Sequence, residues 1–226
     1  MKKNAMNPVQ QRLLWVVPSL LMAVHFLYWP LVRGTSIAFP LFVAVIPFLF
    51  GLLMVGTAVR IWHLWSWTIP MPHVCFLWAS YTTLGPLVLN DTISMPFSAM
   101  GVVKMSLLTG FISAVTGTVI DTISMDERLL TVHSRVAALG VGTVKTVIAY
   151  SFLFFGAFGL FIGPITKVGH YYLVELGDTS RIWLLIVLTI VPTCAMFLAY
   201  FAIASNPRGA PGALAAKQQP DSASSS

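Results

Sequence analysis

The sequence predicts an all-α, polytopic transmembrane helix bundle of about six spans with both termini in the cytoplasm. Three observations predict it. Six apolar runs lie between Leu13 and Ala204, and nearly every charged residue falls between runs. Hydrophobic residues make up 57% of the chain and charged residues only 9%, against roughly 25% charged in a soluble domain. Lys and Arg are unequally shared between alternate connections, as retention of basic residues on the cytoplasmic side requires. The 226 residues suffice for one membrane domain, and no long polar segment could fold beside it as a soluble unit.

Residues 1–12 form a short cytoplasmic segment with Lys2, Lys3 and Arg12. The first run, 13–32, has a charged lead like that of a signal peptide. It is nevertheless long enough to span and contains Trp15, Pro18, Tyr28 and Trp29, so it reads as a retained first span. The second run covers 36–59 and the third 73–89, which is short because a crossing takes about 20 apolar residues. The fourth covers 96–120. The fifth, 136–165, is long enough to tilt or kink, and the sixth covers 182–204. From 205 to 226 the composition turns to Pro, Gly, Ala, Gln and Ser, which predicts a disordered polar tail.

With the amino terminus inside, the cytoplasmic segments collect Lys2, Lys3, Arg12, Arg60, Arg128, Arg135, Arg208 and Lys217. The opposite side holds Arg33, Lys167 and Arg181. That bias explains the net charge of +6 without a nucleic-acid partner, for which no compact basic patch exists. Lys104 and Lys145 fall inside runs four and five. An intramembrane charge is costly and points to function, although near a span end the side chain can snorkel to the interface.

Asp91-Thr92-Ile93-Ser94-Met95 recurs as Asp121-Thr122-Ile123-Ser124-Met125. In this topology the copies lie on opposite faces, as in the inverted repeats of transporters. The simpler reading is that Asp-Thr and Asp-Thr-x-Ser are ordinary turn and capping sequences. Asp91, Asp121, Asp126, Glu127, Glu175 and Asp178 all sit at or near span boundaries. A carboxyl in apolar surroundings tends to keep its proton and can donate it as an acid. Asp91 and Asp121 are the stronger candidates because each abuts an apolar run.

Aromatic residues gather around the second-to-third connection, in Trp62-His63-Leu64-Trp65-Ser66-Trp67 and in Trp78 and Tyr81. An interfacial belt is the default reading; the alternative is a pocket whose ring faces stabilise a cation. Asn90-Asp91-Thr92 fits the acceptor pattern for N-glycosylation on the outer side. The histidines, among them His133 and His170 in acid-bearing connections, form no metal-binding box, and Cys75 and Cys194 carry no redox or metal spacing. The chain has no DDxxD motif and no phosphate loop, which disfavours metal-dependent diphosphate chemistry. No metal or other cofactor is expected.

In length, span number, short loops with isolated Asp and Glu, and polar tail, residues 10 to 205 resemble the small integral-membrane terpene cyclases of fungal meroterpenoid pathways. The resemblance is one of profile and carries over no family position. It implies a metal-independent enzyme whose carboxylic acid protonates an epoxide or alkene of a prenyl chain, while aromatic walls guide the carbocation through ring closure. The acids offered by this chain's own pattern are Asp91, Asp121, Glu127 and Glu175. Trp65, Trp67, Trp78, Tyr81 and Lys104 would line the substrate site. Partners would be the lipid bilayer and an apolar prenylated substrate, and a eukaryotic chain of this kind would reside in the endoplasmic reticulum membrane. Two other readings stand beside it. In a small transporter or channel subunit the Asp motifs, Lys104 and Lys145 would line a path. In a non-catalytic scaffold Gly110, Ser113, Ala114 and Gly117 would form a packing face.

Overall fold

A computed structural model describes residues 8–60, 65–132 and 143–204. The chain begins with helix α1 (Pro8–Val32) and continues through α2 (Ala38–Arg60), β1 (Trp65–Trp67), α3 (Met71–Thr82), α4 (Leu84–Val88) and α5 (Asn90–Ser94). The long α6 (Ala99–Asp126) leads to β2 (Leu130–Val132) and then to α7 (Thr143–His170). Helices α8 (Ile182–Leu188) and α9 (Ile190–Ala204) complete the order. Among the described residues four stretches are helical, long and apolar enough to cross a membrane: Pro8–Val32, Ala99–Asp126, Ser151–Glu175 and Thr179–Met196. The expected aromatic connection holds a feature that hydropathy does not reveal. Strands β1 and β2 pair antiparallel, with Trp65 opposite Val132 and Trp67 opposite Leu130.

Proline sets several of the boundaries, because it lacks the N–H that a helix needs four residues on. The third run divides at Thr83: Pro86 cannot donate to the Thr82 carbonyl, and the Thr83 hydroxyl turns back to the Ser80 carbonyl at 2.6 Å. The sixth divides at Thr189, just ahead of Pro192, which offers no N–H to Leu188. Pro164 is tolerated inside α7. The Leu160 carbonyl that it leaves without a donor accepts the Ser106 hydroxyl of α6 at 2.6 Å. Met95 is extended, with ψ 151°, as a residue before proline prefers, so α5 ends ahead of Pro96.

Two helices outrun their apolar runs. The fourth run was expected to end near residue 120, yet α6 continues to Asp126 and takes the second Asp-Thr-Ile-Ser-Met into its interior. The fifth was expected to end near 165, yet α7 continues to His170 and through a π-helical turn, Tyr171–Glu175. Lys167 therefore does not lie in a loop. It is fully buried, and its ammonium donates to the carbonyls of Ile93 and Met95. Residues 136–142 of the fifth run lie outside the described residues.

Among the described residues, α6 and α7 run antiparallel and make the most extensive contact between helices. Gly110, Ala114 and Gly117 of α6 are buried there, on the small-residue face seen in the sequence. A Cβ at Gly159 would come within 2.4 Å of the Thr109 carbonyl oxygen, and one at Gly117 within 2.1 Å of the Phe155 ring. Such close approach of two backbones maximises dispersion contact and is a common way for helices to associate in lipid. The opposite face of α6 presents Met100, Val103, Leu107 and Phe111 outward. Around the first Asp copy, Trp29, Phe39, Ile93, Met105 and Leu185 form a second apolar core.

Candidate active-site cavity

Toward the Asp126 end of α6 the described residues form a partly open cavity of about 90 Å³. Helix α3 contributes Trp78 and Tyr81, α6 contributes Ser113, Thr116 and Asp121, and the β1–β2 ribbon contributes Trp67 and Leu130. Phe154, Phe155 and Phe158 of α7 complete an aromatic wall. Regular spacing explains the convergence on α6: residues three and four apart share one helix face, so Ser113, Thr116, Gly117, Ile120 and Asp121 all line the cavity. The wall is packed by its own rings. Trp78 and Phe158 lie 4.9 Å apart, and a Cβ at Gly51 would come within 2.8 Å of the Trp78 ring.

Asp121 is the cavity's carboxyl. It is only 5% exposed, and the Ser151 hydroxyl of α7 donates to its Oδ2 at 3.2 Å. Tyr81 is anchored at its far end, its hydroxyl donating to the Leu13 carbonyl of α1. The arrangement can hold an apolar molecule against ring faces and present one acid to it.

The remaining sequence candidates lie elsewhere. Asp91, on α5, has a 95% exposed side chain and stands 3.9 Å from the Arg33 guanidinium. Glu175 ends the π-helical turn and accepts from His170 Nδ1 at 3.2 Å. Counting about 1.5 Å per residue, Asp121 lies about 33 Å along α6 from its start, so Asp91 and Glu175 belong to the opposite end. Glu127 follows the last residue of α6 and is half-buried, but it is not part of the cavity wall. Lys104 is exposed on the early turns of α6, away from the aromatic wall. Trp65 pairs with Val132 in the ribbon, and its side chain lies outside the described residues, as do His133 and the side chain of Lys145. Asn90 begins α5 and donates from Nδ2 to the Leu87 carbonyl at 2.9 Å.

Sequence reasoning missed Ser151, the phenylalanines of α7 and the burial of Lys167. Among the described residues no three His, Cys, Asp or Glu side chains are grouped so as to hold a metal ion. Comparison with protein-family models, with curated proteins and with solved structures finds no match to the chain.

Proposed function

We propose that this chain is an integral-membrane cyclase that takes a prenylated substrate from the bilayer and starts ring closure with a proton from Asp121. The observation that carries the reading is that, among the described residues, one buried carboxyl lines a cavity walled mainly by aromatic and aliphatic side chains. In the step proposed, the Asp121 carboxyl gives its proton to an epoxide oxygen, the adjacent C–O bond breaks, and a carbocation is left. A neighbouring alkene supplies the electron pair of the new C–C bond, and the last cation loses a proton to become neutral. Ring faces of Trp67, Trp78 and the phenylalanines suit the cationic stage, and an apolar wall keeps water from capturing it.

Ser151, by donating to Oδ2, orients the carboxyl. About 10–15 Å³ of such space takes one water, so about 90 Å³ gives room for the reacting end of a prenyl chain. Of the polar residues that a transport path would use, Asp121 lines this cavity while Asp91 and Lys104 do not, and the side chain of Lys145 lies outside the described residues. Six spans with cytoplasmic termini, in the endoplasmic reticulum membrane if the source is eukaryotic, belong to the same proposal, supported by the bias of basic residues.

The test uses membranes containing the chain and a prenylated epoxide. Asp121→Asn and Asp121→Ala are expected to lower ring formation by about 10²- to 10⁴-fold, while Asp91→Ala, Glu127→Ala and Glu175→Ala retain it. Ring formation by Asp121→Asn at the rate of the unsubstituted chain overturns the reading.

A further inference from the structure

Beside the Asp121 cavity lies a second, of about 10 Å³. Thr82 and Ser113 line both. Its wall is unusual in carrying five hydroxyls, those of Thr82, Thr109, Ser113, Thr166 and Thr189. Four of these have committed their protons within their own helices. Thr82 donates to Ala79 at 2.6 Å, Thr166 to Ile162 at 2.8 Å and Thr189 to Ile186 at 2.6 Å, while Thr109 donates to Met105. A hydroxyl so engaged still has lone pairs to offer as an acceptor. Ser113 is the one lining hydroxyl not given to a helix carbonyl among the described residues. The lining thus offers acceptors from the threonines and one donor from Ser113.

A water molecule needs about 10–15 Å³ on this scale and two to four polar partners. We propose that the second cavity is a binding site for one water, which donates to threonine lone pairs and accepts from Ser113 Oγ. A monovalent cation is the competing guest for an acceptor-rich lining. Among the described residues no carboxylate lines the cavity, and an uncompensated charge in an apolar interior costs far more than a neutral water with its hydrogen bonds made.

A structure of the full chain in lipid, at a resolution that shows ordered water, tests the site. One peak within about 2.7–3.2 Å of at least two of the Thr109, Thr166 and Thr189 hydroxyls is expected. A cavity without density, or a peak with the shorter oxygen contacts of a cation, overturns it. Thr109→Val, with Thr166→Val as a second variant in case the first misfolds, should remove the peak, and a peak that persists in both variants shows that the threonine hydroxyls do not hold it.

Discussion

Asp91–Met95 and Asp121–Met125 are the same five residues in two unlike settings at opposite ends of one helix. The first copy fills a short helix that stops ahead of Pro96, and its Asp points into solvent with 95% of the side chain exposed. The second continues a long helix, and its Asp is 5% exposed against an aromatic wall. The difference arises outside the repeat. Proline follows the first Met and Asp126 follows the second, so only one copy is forced to end its helix. What surrounds each copy then decides its chemistry: Lys167 takes the carbonyls of the first, and Ser151 takes the carboxyl of the second. An identical pentapeptide therefore yields a structural tie in one place and a candidate acid in the other.

Removing the tie should give the largest loss of stability. Lys167→Met keeps the apolar stem but leaves the Ile93 and Met95 carbonyls without their donor. Hydrogen bonds to a charged group contribute about 1.5–3 kcal/mol each, so the variant is expected to lose roughly 3 kcal/mol and unfold at clearly lower temperature in lipid. Ring formation per folded molecule should stay close to that of the unsubstituted chain, because the Asp121 cavity lies at the other end of α6. An unchanged unfolding midpoint would mean that the first copy is held by its apolar neighbours instead.

The apolar runs, the small-residue face of α6 and the aromatic cluster were legible because each is local, set by composition or by helical spacing. Asp121 stood out for the same reason, as a carboxyl abutting an apolar run. Ser151 did not, since a serine within a hydrophobic helix has no local mark and its partner lies thirty residues away. Lys167 was misplaced because hydropathy falls at the end of the fifth run, where a lysine reads as interfacial. The signal that could have placed it was Pro96: a helix stopped there leaves carbonyls in need of donors, and a buried ammonium is one way to supply them.

Ser151→Ala sharpens the comparison at the second copy. Losing one neutral donor to a buried carboxyl should cost about 1–2 kcal/mol and, by loosening the orientation of Asp121, reduce ring formation less than Asp121→Asn does. Ser151→Thr, which keeps the hydroxyl, should recover part of the rate. The matching change at the first copy, Asp91→Ala, removes only an exposed pair at 3.9 Å and should alter stability by no more than about 0.5 kcal/mol. If both substitutions cost the same in thermal unfolding, burial does not distinguish the two aspartates.

The smallest expected effect lies beyond the first copy's end of the bundle, at Asp178. This residue caps the turn Thr179–Arg181. Its Oδ1 accepts from Ser180 N–H at 3.0 Å and from the Ser180 hydroxyl, and its Oδ2 accepts from Arg181 Nε at 3.3 Å. The Ser180 hydroxyl bond first, with the Ser180 amide and Arg181 adding to it, holds the carboxyl below the ordinary carboxylate range. A lowered pKa in the fold means that the stabilisation is present above the unfolded value, near roughly pH 4, and is lost as pH falls through the folded value. Asp178→Asn should therefore lie slightly below the unsubstituted chain in unfolding temperature at neutral pH and meet it in acid. The gap should be small because the group is open to solvent and screened by it. Parallel curves down to the lowest pH would show that the turn gains nothing from the charge and is set by its backbone, where Gly177 already supplies a φ of 63° that favours glycine.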